Sequence, residues 1–424
     1  GYCRTIKRNG YVWDYSGHFF HFRDPEIETL VCKNIHSSDL IRTKKHTQIL
    51  YNGIYVDFPF QKNIHQLDKQ ELIDCLYDLF DNPYEGDFTT FKGMIYAKFG
   101  KSIANKFLIP YNEKLYACDL DLLDMEAMGR FFPKANKEDI ILNFRASNNS
   151  SYNDSFAYPR GGAIEYINSL VKNIDSNRIC LEEELESIDI ENKVAITNRR
   201  KIEYDNLIST MPFPMLLKKC HVDYPKDIFT CNKVLVFNLG FDLKGNDQIN
   251  NWIYIPNKEF VFYRIGYYDN ILGGERMSLY VEIGFPEKEE LKDYSFYLER
   301  VLIDLKKARI ITSQKLVDYE VILMNPAYVH INTKSAKALN EYKQELSMKN
   351  VYSIGRYGSW TYCSIEDNII EAKLLDRNEY KDLYNKINVL SQDYDKDGIY
   401  KLSVTVINPV SIFVEVQKQQ VGKN

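Results

Sequence analysis

Val351-Tyr352-Ser353-Ile354-Gly355-Arg356-Tyr357-Gly358 runs on through Ser359-Trp360-Thr361-Tyr362 to Glu366-Asp367-Asn368. The first residues are β-branched or aromatic and read as a short strand, the glycines as a turn, and the acidic residues as the start of a helix over 366–376. A glycine turn between strand and helix can bring backbone N–H groups close to an anionic or carbonyl-bearing ligand. The plainer reading is a turn that needs glycine for its backbone alone.

Working outward, Gly161-Gly162 precedes an amphipathic helix over 163–173. Short strands are predicted at 178–181, 184–190, 193–197 and 206–210. Alternating strands follow at 233–239, 252–255, 260–265, 277–283 and 317–324, with a helix over 287–308. Thr47 to Tyr51 and Ile54 to Phe58 flank Asn52-Gly53, a strong short hairpin signal. Apolar residues three and four apart predict helices over 68–80, 89–99, 103–109 and 120–131, punctuated by Gly100 and Pro110. The pattern after residue 376 is irregular and polar. No internal repeat is visible.

Composition sets the outer bounds. The 424 residues are 45% apolar and 27% charged, which suits a globular chain and excludes collagen, a disordered tail or a small disulfide scaffold. The net charge of −5 gives no basic surplus for nucleic acid. Aromatic residues reach 14%, with 32 Tyr, so aromatic-lined pockets stand beside core packing as their use. The cysteines at 3, 32, 75, 118, 180, 220, 231 and 363 form no C-x-x-C and read as reduced thiols of a cytoplasmic protein. Cys32 and His36 lack a second ligand pair, so no metal site is expected. Asp393 to Gly398 resembles the start of a calcium loop, but Val404 stands where its bidentate Glu belongs. No apolar run approaches the roughly 18 residues of a spanning helix, and no signal peptide is visible.

Motifs in order along roughly residues 1 to 375 make the chain resemble the UDP-galactopyranose mutase family, within the wider amine-oxidase and protoporphyrinogen-oxidase-like FAD flavoproteins. Gly1 to Thr5 with Asp14-Tyr15-Ser16-Gly17-His18 is similar to the family's Gly-Gly-x-x-x-Thr and Asp-x-Gly-Gly-His stretch. Phe58-Pro59-Phe60-Gln61-Lys62-Asn63 is similar to Tyr-Pro-Phe-Gln-x-Asn. Pro110-Tyr111-Asn112-x-Lys114, Pro159-Arg160-Gly161-Gly162, Ser209-Thr210-Met211-Pro212 and the Gly355 segment complete the set.

The resemblance implies an α/β fold: a doubly wound FAD-binding domain, glutathione-reductase-like, with a helical insert and an antiparallel-sheet substrate domain. The expected domains are 1–35, 155–212 and 336–376 for FAD, 36–66 and 213–335 for the substrate sheet, 67–150 for the insert, and 377–424 as an extension. It also implies interconversion of UDP-galactopyranose and UDP-galactofuranose through a reduced-flavin N5 adduct, in cell-surface polysaccharide biosynthesis. Reduced FAD would be the cofactor, a UDP-sugar the substrate, and a homo-oligomer is compatible.

By the same resemblance, Thr5, Gly17, His18, Gly161, Gly162, Thr210, Gly355, Arg356, Asp367, Asn368 and Ile369 contact the cofactor. Phe58, Phe60, Gln61, Phe107, Asn112, Tyr254, Tyr328, Arg356 and Tyr362 line the substrate. His18, Arg130 and Arg264 form the catalytic set, with the two arginines clamping the diphosphate, a task that suits a permanently charged fork of donors. An interdomain salt bridge is the plainer reading of each arginine, and core packing that of each aromatic.

There are departures from the family pattern. Ser16 replaces the first Gly of the His18 motif, Ile271 replaces a family Tyr, and Tyr116 replaces a Trp. The opening Gly-x-Gly-x-x-Gly is missing, so a fragment lacking a ~30-residue dinucleotide unit and binding FAD poorly is expected. An FAD-dependent oxidoreductase of amine-oxidase or protoporphyrinogen-oxidase type is the alternative, and a non-catalytic remnant is a third reading.

Overall fold

The computed structural model describes residues 1–84, 86, 88–145, 149, 154–375, 401–408 and 411–417. By internal contacts they form two units, Gly1–Cys180 with Lys226–Ser335, and Leu181–Pro225 with Ala336–Asn424.

The first unit is built on a seven-stranded sheet. Its order is Leu316–Met324, Asn232–Phe241, Ser278–Pro286, Arg264–Tyr267, Trp252–Tyr254, Thr47–Tyr51 and Ile54–Asp57. All neighbours are antiparallel except Thr47–Tyr51 with Trp252–Tyr254. Strand alternation separates two faces. Leu235, Phe237, Leu239, Leu279, Val281, Ile283 and Ile265 share one face with Tyr297, Val301 and Leu305 of the helix Tyr294–Lys307. The other face carries Tyr254, Arg264, Tyr280, Glu282 and Asn238.

On that second face lies the N-terminal hairpin, Thr5–Arg8 with Tyr11–Asp14. Tyr11 OH donates to the Phe241 carbonyl at 2.8 Å, and Trp13 Nε1 to Ser278 Oγ at 2.9 Å. A Cβ on Gly240 would stand 2.5 Å from the Tyr11 ring, so only glycine admits this hairpin. These bonds tie Tyr11 and Trp13 to the sheet, and residues 1–35 group with it by internal contacts.

The helical insert is present. Lys69–Phe80 starts on Asp68, whose carboxylate accepts from the Gln70 and Glu71 amides. Phe91–Ile103 kinks at Gly100, a π-helical turn spans Ala104–Leu108, and Ile109–Tyr116 follows. Pro110 therefore sits in the first turn of a helix rather than ending one. The helix expected over 120–131 is instead two 3₁₀ turns, Leu120–Leu122 and Gly129–Phe131. There the Asp124 amide bonds Ile331 and the Met125 amide bonds Thr89, while Gly129 takes a left-handed φ of 49°. Those long-range bonds displace the i→i−4 ladder.

The second unit holds the parallel pair Leu207–Ser209 with Val351–Ser353, and a three-stranded antiparallel sheet of Leu185–Asp189, Val194–Thr197 and Lys201–Glu203. The strand expected at 178–181 is absent; Ser176–Arg178 is a 3₁₀ turn capped by Asp175. Lys401–Asn408 pairs with Ser411–Gln417. The Asp393 to Gly398 stretch lies outside the described residues. A large mixed sheet with flanking helices makes this a mixed α/β protein. No helix among the described residues is long and apolar enough to cross a membrane, and no cluster of potential metal ligands occurs among them.

Candidate functional site

Register brings three side chains of the first unit into one row. Tyr254 lies opposite Arg264, and Arg264 opposite Glu282. Arg264 donates from Nε to Glu282 Oε2 at 2.7 Å and from Nη2 to Oε1 at 2.6 Å. This is a bidentate pair with the carboxylate 1% exposed and the guanidinium side chain 19% exposed. Ser16 Oγ donates to Glu282 Oε1 as well. Arg264, which the resemblance implies as a diphosphate clamp, is thus paired with Glu282. Arg264 also lies 5.8 Å from the centroid of the Tyr280 ring. A Cβ on Gly266 would sit 1.9 Å from that ring, so the cross-strand glycine admits Tyr280.

Around this row the phenols of Tyr111, Tyr254, Tyr263, Tyr280 and Tyr328 gather. Rings touch in series from Phe60 through Phe107, Tyr111 and Tyr254 to Phe58, with centroids 5.1–5.3 Å apart. Tyr263 packs edge-on to Tyr111, and its buried hydroxyl has no hydrogen-bond partner among the described residues. Burial pushes the Tyr111 and Tyr263 phenols well above the ordinary tyrosine range, with the Arg264 charge opposing. They therefore stay neutral donors through the physiological range. Phe58, Phe60, Phe107, Tyr254 and Arg264, chosen from sequence, thus lie together, and Tyr328 is near enough to act electrostatically on Arg264.

Arg130 is placed differently. It lies on the Gly129–Phe131 turn with its guanidinium 4.5 Å from the Phe131 ring centroid. None of Arg264's contacts involves it. Gln61 reaches that region by donating to the Pro133 carbonyl, while its buried Oε1 lacks a partner among the described residues. Asn112 donates to the Leu108 carbonyl at 2.6 Å, and its buried Oδ1 likewise has no partner among the described residues.

His18 follows Ser16, which sits at φ 72°, and Gly17, where a Cβ would stand 2.6 Å from the Tyr280 hydroxyl. His18 Nδ1 lies 3.2 Å from the Ser16 carbonyl. Thr5 and the Gly161-Gly162 turn serve a different centre. Thr5 Oγ1 donates to Asp14 at 2.6 Å and accepts from the Ile164 amide at 3.1 Å. Asp14 also accepts from Tyr158 and from the Ala163 amide. Burial, opposed by these donors, raises its carboxyl to about 6.

In the second unit, Thr210, Gly355 and Asn368 meet: a Cβ on Gly355 would stand 3.4 Å from Asn368 Oδ1 and 3.9 Å from Thr210 Cβ. The turn's amides are already engaged. Gly355 N–H bonds Glu371 at 2.7 Å, and Arg356 N–H bonds Asn368 Oδ1 at 2.6 Å. Both acceptors stand on the helix Ile365–Leu374. Asp367 closes a capping box with Ser364 at that helix's start, and Ile369 is half-buried on it. The Arg356 guanidinium lies 4.8 Å from the Tyr362 ring centroid. Lys343, buried and lowered to about 8 by desolvation, donates to Ser359 and lies 3.7 Å from Glu371.

Sequence reasoning missed Glu282, Tyr280, Tyr263 and Glu371. The signal for the first two was their parity. In Leu279-Tyr280-Val281-Glu282-Ile283, the polar residues alternate with wholly apolar ones, which marks a strand with a chemically distinct second face. Tyr263 and Glu371 left no comparable mark.

No protein-family model matches the chain. Among solved structures its fold is similar to that of reduced UDP-galactopyranose mutase, with a TM-score of 0.77 and 22% identity, over 85% of this chain and 81% of that one. It is also similar to a protoporphyrinogen-oxidase-like protein from Exiguobacterium sp. 255-15, with a TM-score of 0.68 and 15% identity, covering 91% and 90%. Putrescine oxidase follows at a TM-score of 0.55 and 11% identity, covering 92% and 91%. At such identities the likeness is one of fold. It falls in the group of proteins that the sequence motifs resemble.

Proposed function

We propose that this chain is an FAD-dependent enzyme, and specifically a UDP-sugar mutase interconverting UDP-galactopyranose and UDP-galactofuranose. The observation that carries this is the Tyr254–Arg264–Glu282 row flanked by neutral phenols and a ladder of aromatic rings. An oriented guanidinium with phenol donors suits a diphosphate. Stacked rings suit a uracil base and the apolar face of a sugar. The fold likeness to UDP-galactopyranose mutase supports the same reading.

The residues present fit a flavin with one change from expectation. At Gly17 a Cβ would stand 2.6 Å from the Tyr280 hydroxyl, and the turn at Gly355 takes a left-handed φ of 83°. The Gly355 and Arg356 amides, however, are held by Glu371 and Asn368. Within the second unit, contacts to FAD would then come from Thr210, the Arg356 side chain and turn carbonyls. Thr5, Gly161 and Gly162 would support the Asp14 centre instead. When bound and reduced, the flavin would supply an electron-rich nitrogen toward an anomeric carbon.

The chain's own residues would do the rest. Arg264, oriented by Glu282, would hold the diphosphate through its remaining donors, with Arg130 as the second cation. Tyr254 and Tyr328 would donate to phosphate oxygens, while Phe58, Phe60, Gln61, Phe107 and Asn112 would surround the nucleoside and sugar. His18 would shape the flavin side. The product would enter cell-surface polysaccharide synthesis.

The alternative, an oxidoreductase of amine-oxidase or protoporphyrinogen-oxidase type, draws on one observation: Glu282 cancels the Arg264 charge, so this row is not a net cationic clamp. The test is to reduce the FAD-loaded protein with dithionite and follow UDP-galactofuranose by chromatography. Conversion to the pyranose only when reduced supports the mutase. No conversion, with oxygen consumed on an amine, replaces it by the oxidase. Arg264→Lys, which retains charge but loses the fork, is expected to lower turnover at least ~10-fold.

A further inference from the structure

We propose that Ser16 is a positioning residue that orients Arg264 for anion binding. This deepens the proposed function and rests on it for the ligand. Ser16 stands where the resembled family has glycine, and its φ of 72° is one that glycine adopts without strain and serine does not. A side chain kept in that conformation offsets the strain through what it contacts.

Its contacts are specific. The hydroxyl donates to Glu282 Oε1, the same oxygen that accepts from Arg264 Nη2. Arg264 Nη2 also lies 3.4 Å from Ser16 Oγ. The Glu282 carboxylate therefore receives Ser16 Oγ, Arg264 Nε and Arg264 Nη2, and it is 1% exposed. With those two nitrogens engaged, Arg264 Nη1 makes no hydrogen bond to any described residue, on a side chain that is 19% exposed. Ser16 and Glu282 thus fix which edge of the guanidinium stays open.

The Ser16 carbonyl, meanwhile, lies 3.2 Å from His18 Nδ1 and accepts from Tyr268 OH at 3.5 Å. One residue therefore ties the His18 loop to the arginine: its main chain to the ring, its side chain to the ion pair.

The test is Ser16→Gly, with Glu282→Gln as the second variant. If Ser16 were only a tolerated replacement for glycine, Ser16→Gly would relieve strain and change nothing else. A positioning role predicts an unchanged or raised melting temperature together with weaker UDP binding by calorimetry, at least about fivefold. It also predicts faster hydrogen exchange at Arg264 Nε in ¹⁵N-arginine-labelled protein without ligand, assigned by loss of its signal in Arg264→Lys. Glu282→Gln, which keeps one acceptor oxygen, should speed the same exchange further. Wild-type exchange and wild-type UDP affinity in folded Ser16→Gly would overturn the proposal. If wild-type protein binds no UDP, the mutase reading fails, and the Arg264 exchange still decides the role of Ser16. If Ser16→Gly does not fold, slow Arg264 exchange in Glu282→Gln overturns it.

Discussion

Asp14 shows how much one side chain carries. Its carboxylate joins the hairpin, through Thr5, to Tyr158 and to the start of the helix Ile164–Val171. Its carboxyl is raised from 3.8 to about 6, mainly by burial. A carboxyl raised on folding stabilises the protein fully below pH 4, and that contribution is lost as pH rises through 6. The swing is about 3 kcal/mol for a shift of that size. Urea unfolding of Asp14→Asn at pH 4.5 and 7 should therefore show this pH dependence removed. Lys114 is a second case. Its buried ammonium donates to the Ile255 and Asn257 carbonyls at 3.0 Å and to Phe262. Burial lowers its pKa to about 7. It stands in the motif Pro110-Tyr111-Asn112-x-Lys114, and its neighbours give it a structural task. Lys114→Met should cost about 2–4 kcal/mol, read by denaturant unfolding, because the carbonyls lose a charged donor.

Among the elements, the insert helices give the sharpest prediction. Gly100 adopts φ 71° within Phe91–Ile103, and a Cβ there would stand 2.1 Å from the Asp78 carbonyl of the neighbouring helix. Gly100→Ala combines left-handed strain with a clash against backbone, so about 2–4 kcal/mol of stability should be lost. A melting temperature within a degree or two of wild type would count against the close approach. The elements read best from sequence were those with local causes. Asn52 and Gly53, at φ 46° and 83°, turn the hairpin as their types require. Asp68 begins its helix where a capping residue should. The 120–131 segment was misread because its apolar spacing fits a helix, yet its amides bond residues far away in the chain.

For the molecule as a whole, the thiols report on burial. All eight cysteines are free, and only Cys180 is exposed. Burial pushes the thiols of Cys3, Cys75, Cys118, Cys220, Cys231 and Cys363 up to about 12, so they remain protonated and unreactive. Ellman titration of the native protein at pH 8 should show one fast thiol, assigned by its loss in Cys180→Ser, with the others reacting after denaturation. Several fast thiols would mean that the units are looser than described.

Local pattern was enough to read the helical insert and the presence of most sheet strands, while the α/β class and the set of arginines and aromatics came from the resemblance. The former come from periodicity, capping and turn chemistry, which act over a few residues. Pairing across the sheet could not be read that way. Arg264 and Glu282 are 18 residues apart in sequence, and Ser16 is 248 from Arg264. Whether a guanidinium meets open space or a carboxylate depends on strand register. Whether a turn's amides face a ligand or Glu371 and Asn368 depends on how a later helix packs. Both are outcomes of long-range packing, in which each contact's energy depends on all the others being made.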